Sequence, residues 1–576
     1  MSCRQIALLT TSLILLIAYP GTTAGLDERV SHPKHEALEV PDDHYIPVAR
    51  DDQARSDAFR YSTRDFFFTQ VNVDLLGDNI VGDAANEPSI AVDPTNPNLM
   101  AIGWRQFDTI SSNFRQAGIA YTTDAGQTWT FPGVIDPGIF RSDPVLDSDA
   151  EGTFYYNSLT LDGGDYLCDV FRSWDGGATW DAGTDAYGGD KQWMTIDKTE
   201  GIGGGNIYAY WTNYFSVCYP GFFIRSTDGG DSYEDCITIP QEPYWGTLTV
   251  GPDGELYVGG VGDSYFTAAK SSNAQDANQS IVWDCSADVY LDGSIPFGGG
   301  PNPDGLLGQV WIASDHSEGP SRGNVYMLCS VARSSVSDPS DVMFSRSTNG
   351  GATWSAPVRV NDDPGYDTYQ WFGTMSVSPA GRIDVVWLDT RDDPGGYDSA
   401  LYYAYSWDEG ATWSENQQLS PSFDPHLGWP QQNKMGDYFD MVSTETGAHL
   451  AWAATFNGEQ DVYYGHITSG MILPIDLSCE LISGTVELSW TAIQDAAGYW
   501  VYGTANDAWF APDLSPPTYD NRLAVIPGGI TTWSSTNGVG DPNNNWTYLV
   551  VALNPSSEEI ARSNLCGEHD FEGDIP

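Results

Sequence analysis

RSWDGGATWD, residues 172–181, reads as a tight turn between two strands with a tryptophan attached. An acceptor side chain in such a turn can bind backbone N–H groups, glycine permits positive φ, and the aromatic ring can pack between sheets. The phrase returns as YTTDAGQTWT (121–130), RSTDGGDSYE (225–234), RSTNGGATWS (346–355) and YSWDEGATWS (405–414). The shared pattern is Ser/Thr-x-Asp-x-Gly-x-Thr-Trp, with Asp124, Asp175, Asp228, Asn349 and Asp408 in its third place. Asn349 keeps the acceptor and loses the charge. A turn survives that exchange and a catalytic carboxylate does not, so the five residues are expected to be structural.

Between the turns, short runs rich in Val, Ile, Tyr and Trp alternate with Gly, Asp, Asn and Pro, and helical periodicity is almost absent. The expected class is all-β. The turns belong with two-strand phrases such as EPSIAVDPTNPNLMAIGW, and seven such phrases begin at Glu87, Ser142, Gln192, Tyr244, Gly308, Gln370 and Gly436. The fourth is followed by FTAAKSSNAQDANQSIVWD (266–284), a longer and degraded form of the turn. A period of roughly 45–60 residues with about four strands per unit predicts a β-propeller. The last unit stops at DVYYGHI (461–467) without an outer strand. FFFTQVNVDLLGDN (66–79) is similar to the outer strand in SAPVRVNDDPGY (355–366), so residues 66–76 are expected to complete the seventh unit and leave no open edge. Seven blades over residues 66–470 is the expectation, with six as the alternative.

The repeated turn resembles the Asp-box, or BNR repeat, of the sialidase superfamily, over residues 66–470. The resemblance implies the propeller fold. Sialidases of that superfamily usually have six blades, an Arg-Ile-Pro motif near the start and an arginine triad; no Arg-Ile-Pro occurs here. Seven-bladed Asp-box propellers are also found among xyloglucan-cleaving hydrolases and non-catalytic assembly and binding proteins. Two functions are therefore weighed. One is a secreted glycoside hydrolase of exo-sialidase-like type acting on a carbohydrate or glycoconjugate. The other is a non-catalytic propeller that binds glycans or proteins in adhesion or recognition.

The 576 residues include 79 acidic against 24 basic side chains, a formal charge of −55, and five of the basic residues are lysine. Such a surface repels nucleic acid and anionic lipid, and neither is expected as a partner. Solubility in a salty medium accounts for the excess; the sharper reading is calcium, which prefers carboxylate and carbonyl oxygen. NDDPGYD (361–367) and RDDPGGYD (391–398) are its candidate loops, and no other cofactor is expected. At the start, Arg4 precedes an apolar run from Ile6 to Tyr19, with small residues Thr22 and Ala24 after it. This layout predicts a signal peptide over residues 1–24 and a secreted, extracellular or periplasmic protein. No other stretch is long and apolar enough to span a membrane, and a monomer is expected. Residues 25–65 are polar and unpatterned, 568–576 form an acidic tail, and both are expected to be poorly ordered. Seven cysteines follow the signal peptide, none at zinc-type spacing, so at least one is unpaired or pairs between chains.

From residue 474 the pattern changes. VELSW (486–490), GYWVYG (498–503) and YLVVALN (548–554) resemble strands of a fibronectin type III domain over residues 474–567, with Trp490 and Tyr499 as its core aromatics. Cys479 and Cys566 stand at its two ends and are expected to tie the first strand of this small β-sandwich to the last.

In sialidase-like propellers the ligand face is where first strands begin and second strands end, with the Asp-boxes on the opposite face. That placement selects Glu87, Asp143, Trp193, Trp245, Trp371, Asp437 and Tyr438 ahead of the inner strands. After the second strands it selects Arg105, Trp211, Asn213, Asp263, Asp389, Arg391 and Asp392. Aromatic rings beside carboxylates suit sugars, which have an apolar face and a hydroxyl edge. Glycosidases use two carboxyl groups, or a tyrosine nucleophile in the sialidase case. Asp143, Asp389, Asp437 and Tyr438 are the catalytic candidates. Arg105 and Arg391, as holders of an anionic sugar, and Glu87, Trp193, Trp211, Trp245 and Trp371 are the binding candidates. The competing readings are structural: an Asp389–Arg391 pair ordering its own loop, and a buried Tyr438. No GxSxG, HExxH or phosphate-cradling loop supports another hydrolase class.

Overall fold

A computed structural model describes residues 42–63 and 66–468, together with 473–475, 477–482, 485–493, 496–505, 521–535, 546–553, 559–563 and 566–567. The expected signal peptide and acidic tail lie outside the described residues. Contacts divide the chain into two units, Met1–Ile467 and Thr468–Pro576. Among the described residues there is no α-helix, only 3-10 turns at Arg50–Asp52 and Asn213–Phe215.

The first unit is a succession of small antiparallel sheets. The first sheet holds Ala84–Val92, Met100–Phe107, Gln116–Thr122 and Thr130–Ile135, and the second Ser142–Ser148, Phe154–Asp162, Asp165–Ser173 and Thr184–Asp185. The next two open with Trp193–Ile196, Ile207–Tyr210 and Phe223–Ser226, then with Leu248–Val250, Leu256–Val261, Phe266–Ser271 and Cys285–Val289. Trp311–Ser314, Val325–Arg333, Asp338–Ser347 and Val358–Arg359 lie in the fifth sheet; Gln370–Val377, Ile383–Asp389, Ala400–Ser406 and Gln417–Gln418 form the sixth. The seventh combines Asp440–Ser443, Ala448–Ala454 and Asp461–Ile467 with Phe66–Gln70, whose Phe66 pairs Ile467 and whose Gln70 pairs Tyr463. The first strand of each sheet packs against the first strand of the next, and that of the seventh packs against that of the first. Strands enclosed on both faces lose polar/apolar alternation. Ala84–Val92, Met100–Phe107 and Ile383–Asp389 are accordingly buried at every residue.

The repeated turns share one hydrogen-bond pattern. Asp175 Oδ1 accepts from Ser173 Oγ (2.9 Å) and Thr179 N (2.8 Å), and its Oδ2 from Thr179 Oγ1 (2.7 Å), while Trp180 Nε1 donates to Gly177 O (3.1 Å). Asp124, Asp228 and Asp408 repeat the carboxylate bonds. At Asn349, Oδ1 accepts from Thr353 N (3.0 Å) and Nδ2 donates to Thr353 Oγ1 (2.8 Å), so one hydrogen bond reverses and the turn persists. In the degraded fourth copy Asn273 takes this place, accepting from Ser271 Oγ and Val282 N.

Residues 42–63 differ from the expected disorder. Asp42 pairs with Arg115 at 2.6 Å, Tyr45 lies 5.2 Å from Phe114, Arg55–Ser56 pairs with Asn79–Ile80, and Arg60–Ser62 adds to Phe66–Gln70. The segment has no core of its own, which is why its composition looks unpatterned. Charge pairs and borrowed strand edges hold it.

The second unit contains a three-stranded sheet, Leu477–Ile482, Thr485–Trp490 and Thr532–Ser535, and a larger one that includes Gly498–Ala505, Arg522–Pro527 and Trp546–Leu553. Trp490 and Tyr499 lie 5.5 Å apart in its core. Cys479 is disulfide-bonded. Its strand Leu477–Ile482 runs beside Cys566–Gly567, whose side chains lie outside the described ones. Cys218 and Cys236 form a disulfide, Cys285 is disulfide-bonded, and Cys168 and Cys329 are free and buried.

Candidate functional site

In each sheet one residue within the beginning of the first strand or a few positions ahead of it adopts positive φ. It is Glu87 (49°), Asp143 (47°), Lys191 (56°), Trp245 (52°), Gly308 (145°), Phe372 (56°) and Gly436 (91°) in the seven sheets in turn. Left-handed backbone is strained for residues with a Cβ. At Glu87, Asp143 and Phe372 the strand register breaks alongside, as in a β-bulge, which re-aims a side chain. Gly436 is needed for a second reason, since a Cβ there would lie 2.3 Å from Glu87 Cγ.

Because the first strands pack side by side, these entry points gather charges from distant parts of the chain. Asp437 Oδ2 meets Lys191 Nζ at 2.5 Å and Lys434 Nζ at 3.2 Å, and its Oδ1 accepts from Leu306 N at 2.8 Å. Arg105, paired across the first sheet with Asn86, places Nε 3.0 Å from Glu87 Oε2. That Nε–H is aligned on Asn86 Oδ1 (2.8 Å), so the Arg105–Glu87 contact is one of charge, and neither Glu87 oxygen has a hydrogen-bond partner. Asp143 accepts from Lys191 N (3.2 Å) and Ser142 Oγ (2.7 Å). Tyr438 OH donates to Pro144 O (2.8 Å), and its ring meets Trp193 edge-on at 5.2 Å. Asn302 ties the base of the site, donating to Gly436 O at 2.8 Å and accepting from Met435 N.

The two central acids are driven apart. Burial, only partly countered by Arg105, pushes the Glu87 carboxyl up to about 7. Burial also acts on Asp437, but the Lys191 and Lys434 ammoniums outweigh it and hold this carboxyl well below the usual range. Burial pushes the Tyr438 phenol well up, and its hydroxyl is engaged by a backbone carbonyl. A neutral acid beside a fixed carboxylate is an arrangement able to donate and accept protons near neutral pH.

The structure thus brings together Glu87, Arg105, Asp143, Trp193, Asp437 and Tyr438. Asp389 and Arg391 are held in a separate knot: Arg391 reaches Asp389 at 2.8 Å and Asp362 at 2.7 Å and lies over the Tyr402 ring. Trp371 is enclosed and donates to Ser399. Trp211 and Trp245 are also enclosed, and their Nε1 atoms have no hydrogen-bond partner. Lys191, Lys434 and Asn302 were not singled out by motif. For the two lysines the scarcity of that residue type is a signal that could have found them, since two of the five meet at one carboxylate. Among the described residues no group of three or more His, Cys, Asp or Glu is placed to hold a metal ion. In the loop 361–367 the Asp362 and Asp363 carboxylates face Arg391 and Arg359. No helix among the described residues is long and apolar enough to cross a membrane.

No family model matches the chain. It is 25% identical over 410 residues to a xyloglucanase of Paenibacillus sp, covering 63% of this chain and 36% of that protein, so it spans about a third of that curated relative's length. Among solved structures, a protein of unknown function from Dyadobacter fermentans DSM 18053 overlays with a TM-score of 0.39 and 14% identity, covering 71% of this chain and 98% of that one. Phage phi92 endosialidase overlays at 0.39 with 9% identity, covering 86% and 87%.

Proposed function

We propose that the first unit is a closed seven-bladed Asp-box propeller that hydrolyses a glycan at the entry points of its first strands. The second unit is read as a fibronectin type III-like module closed by Cys479–Cys566, and the protein as exported. The bonded Cys218–Cys236 pair suits an oxidising compartment. One observation carries the hydrolase reading: Glu87 and Asp437 share a buried cluster in which one acid is raised to about 7 and the other is kept ionised. Glycosidases separate an acid from a carboxylate in this way, with Glu87 as proton donor and Asp437 as the ionised partner. The similarity to a protein named as a xyloglucanase favours a glycan substrate.

Among the described residues Arg105 is the one arginine paired with a central acid, and Arg115 reaches Asp143 only through Ser142, where an arginine triad for sialic acid would need three, so the exo-sialidase form has less support than a two-carboxylate hydrolase. Full enclosure of Glu87 and neutralisation of Asp437 by two lysines favour a second reading, glycan binding without cleavage. A glycan-release screen with the purified protein and with Glu87→Gln separates the two. Hydrolysis predicts reducing ends from the native protein and a loss of at least about a hundredfold in the variant. Binding without release, equal in both proteins, would remove the hydrolase reading.

A further inference from the structure

Antiparallel pairing puts the loops between second and third strands, and those leaving each fourth strand, at one end of the first unit. The repeated turns lie at the other end. Every exposed tyrosine described in residues 42–467 lies at the first end. Tyr214 and Tyr219 follow the second strand of the third sheet, Tyr265 follows that of the fourth, and Tyr397 follows that of the sixth. Tyr290 leaves the fourth sheet and Tyr366 leaves the fifth, while Tyr45 packs on Phe114 in the corresponding loop of the first. The turn end exposes Trp174, Ile202 and Val282 and no tyrosine among the described residues. Tyr265 and Tyr290 stand 6.0 Å apart at 83°, and Tyr397 lies 5.9 Å from Tyr369. Glu87, in the first half of its first strand, and Asp437, just ahead of its own, are toward this same end.

A tyrosine ring offers a flat apolar face and a polar edge, which matches a sugar ring. An arc of such rings over four consecutive sheets, from the third to the sixth, is longer than one sugar needs. The charge at this end narrows the ligand further. Arg105, Arg115, Arg141, Lys191, Arg333 and Arg391 each face a carboxylate at 3.0 Å or less, and the whole chain carries −55. An anionic sugar would meet net repulsion with these cations already committed. We infer that this end binds an extended, uncharged polysaccharide, laid along the tyrosine arc from the third to the sixth sheet. The inference rests on the glycan reading of the same site and names its substrate class.

The test measures binding of the full chain to soluble xyloglucan, a neutral polymer, and to polygalacturonate, an anionic one, by retardation in polymer-containing native gels. Measurements on Glu87→Gln as well as the native protein separate affinity from turnover. Binding to xyloglucan with no retardation by polygalacturonate is expected. The double variant Tyr265→Ala/Tyr290→Ala should weaken binding to xyloglucan at least about tenfold, and Trp174→Ala, at the turn end, should leave it unchanged. Equal or stronger retardation by polygalacturonate, or unaltered affinity in the tyrosine variant, would overturn the inference. Sugar release by a native protein whose tyrosine variant binds unchanged would sink the arc and leave the hydrolase standing. Tyrosine-dependent binding without any release would support the arc while the hydrolase reading fell.

Discussion

The two ends of the first unit repeat different things. At the turn end the residue recurs: an Asp or Asn whose side chain accepts the same backbone N–H and neighbouring hydroxyl in every copy. At the other end the backbone recurs, with positive φ at each first-strand entry, and the side chain changes from Glu87 to Asp143, Lys191, Trp245 and Phe372. A scaffold element keeps its chemistry because each copy solves the same local problem. A site keeps its geometry and varies its chemistry, because each position faces a different neighbour around one centre. The carboxylates differ accordingly. At Asp175 modest burial is outweighed by hydrogen bonds from Thr179 and Ser173, and the carboxyl lies below its ordinary value. Glu87 has no such donors, burial dominates, and its carboxyl rises to about 7.

The contrast is broken most directly at Asp437. Asp437→Ala leaves the buried Lys434 ammonium and the half-buried Lys191 ammonium without their shared counter-ion, and a destabilisation of about 3–5 kcal/mol is expected in denaturant titration. A smaller loss, on the scale of an exposed turn residue, would mean that the cluster is open to water and that the two ends do not differ in kind.

The pH dependence of stability gives the next largest effect. Glu87, Asp440 and Asp461 are each raised by burial to about 7 in the folded chain. A group with a raised folded pKa binds its proton more tightly when folded. Its contribution is complete below the unfolded carboxyl range near pH 4 and is lost as pH rises through about 7. Melting temperature should therefore fall between about pH 5 and 8, and Glu87→Gln should flatten that slope. The turn carboxylates, held low, work in the opposite direction, and their contribution is lost below about pH 4. A melting temperature that climbs from pH 5 to 8 would contradict the burial assigned to the central acids.

Asp175→Ala removes three accepted hydrogen bonds from one turn. A loss of about 1–2 kcal/mol is expected, with turnover or binding per folded molecule unchanged. Loss of function without loss of stability would place chemistry at the wrong end. The smallest effect belongs to Asn349→Asp, which restores the acceptor pattern of the other turns. Its stability should stay within about 0.5 kcal/mol of the native chain, and a larger change would show that charge, not acceptor geometry, is what these turns repeat.

Much of the scaffold was legible because its determinants are local. Turn residues, glycines with positive φ and short apolar runs act over a few positions, so the period and the strands could be read from the chain. The pairing of Phe66–Gln70 with Asp461–Ile467 was legible for a related reason, since that strand resembles the outer strands of other units. The Asp389–Arg391 pair also lies two residues apart, and its structural reading was available from spacing alone. Residues 42–63 were harder, because their order comes from partners such as Arg115 and Asn79–Ile80 that lie elsewhere in the sequence. The candidate site is the extreme case. Arg105 and Lys191 lie far from Asp437 along the chain, and although Lys434 stands only three residues before it, nothing local announces that Lys191 will join the same carboxylate. Residue types and turn chemistry are properties of neighbours in sequence, and these the sequence determined by itself. Which acid is neutral and which ionised depends on burial and on charges a few ångströms away in space, and only the packing of first strand against first strand decided that.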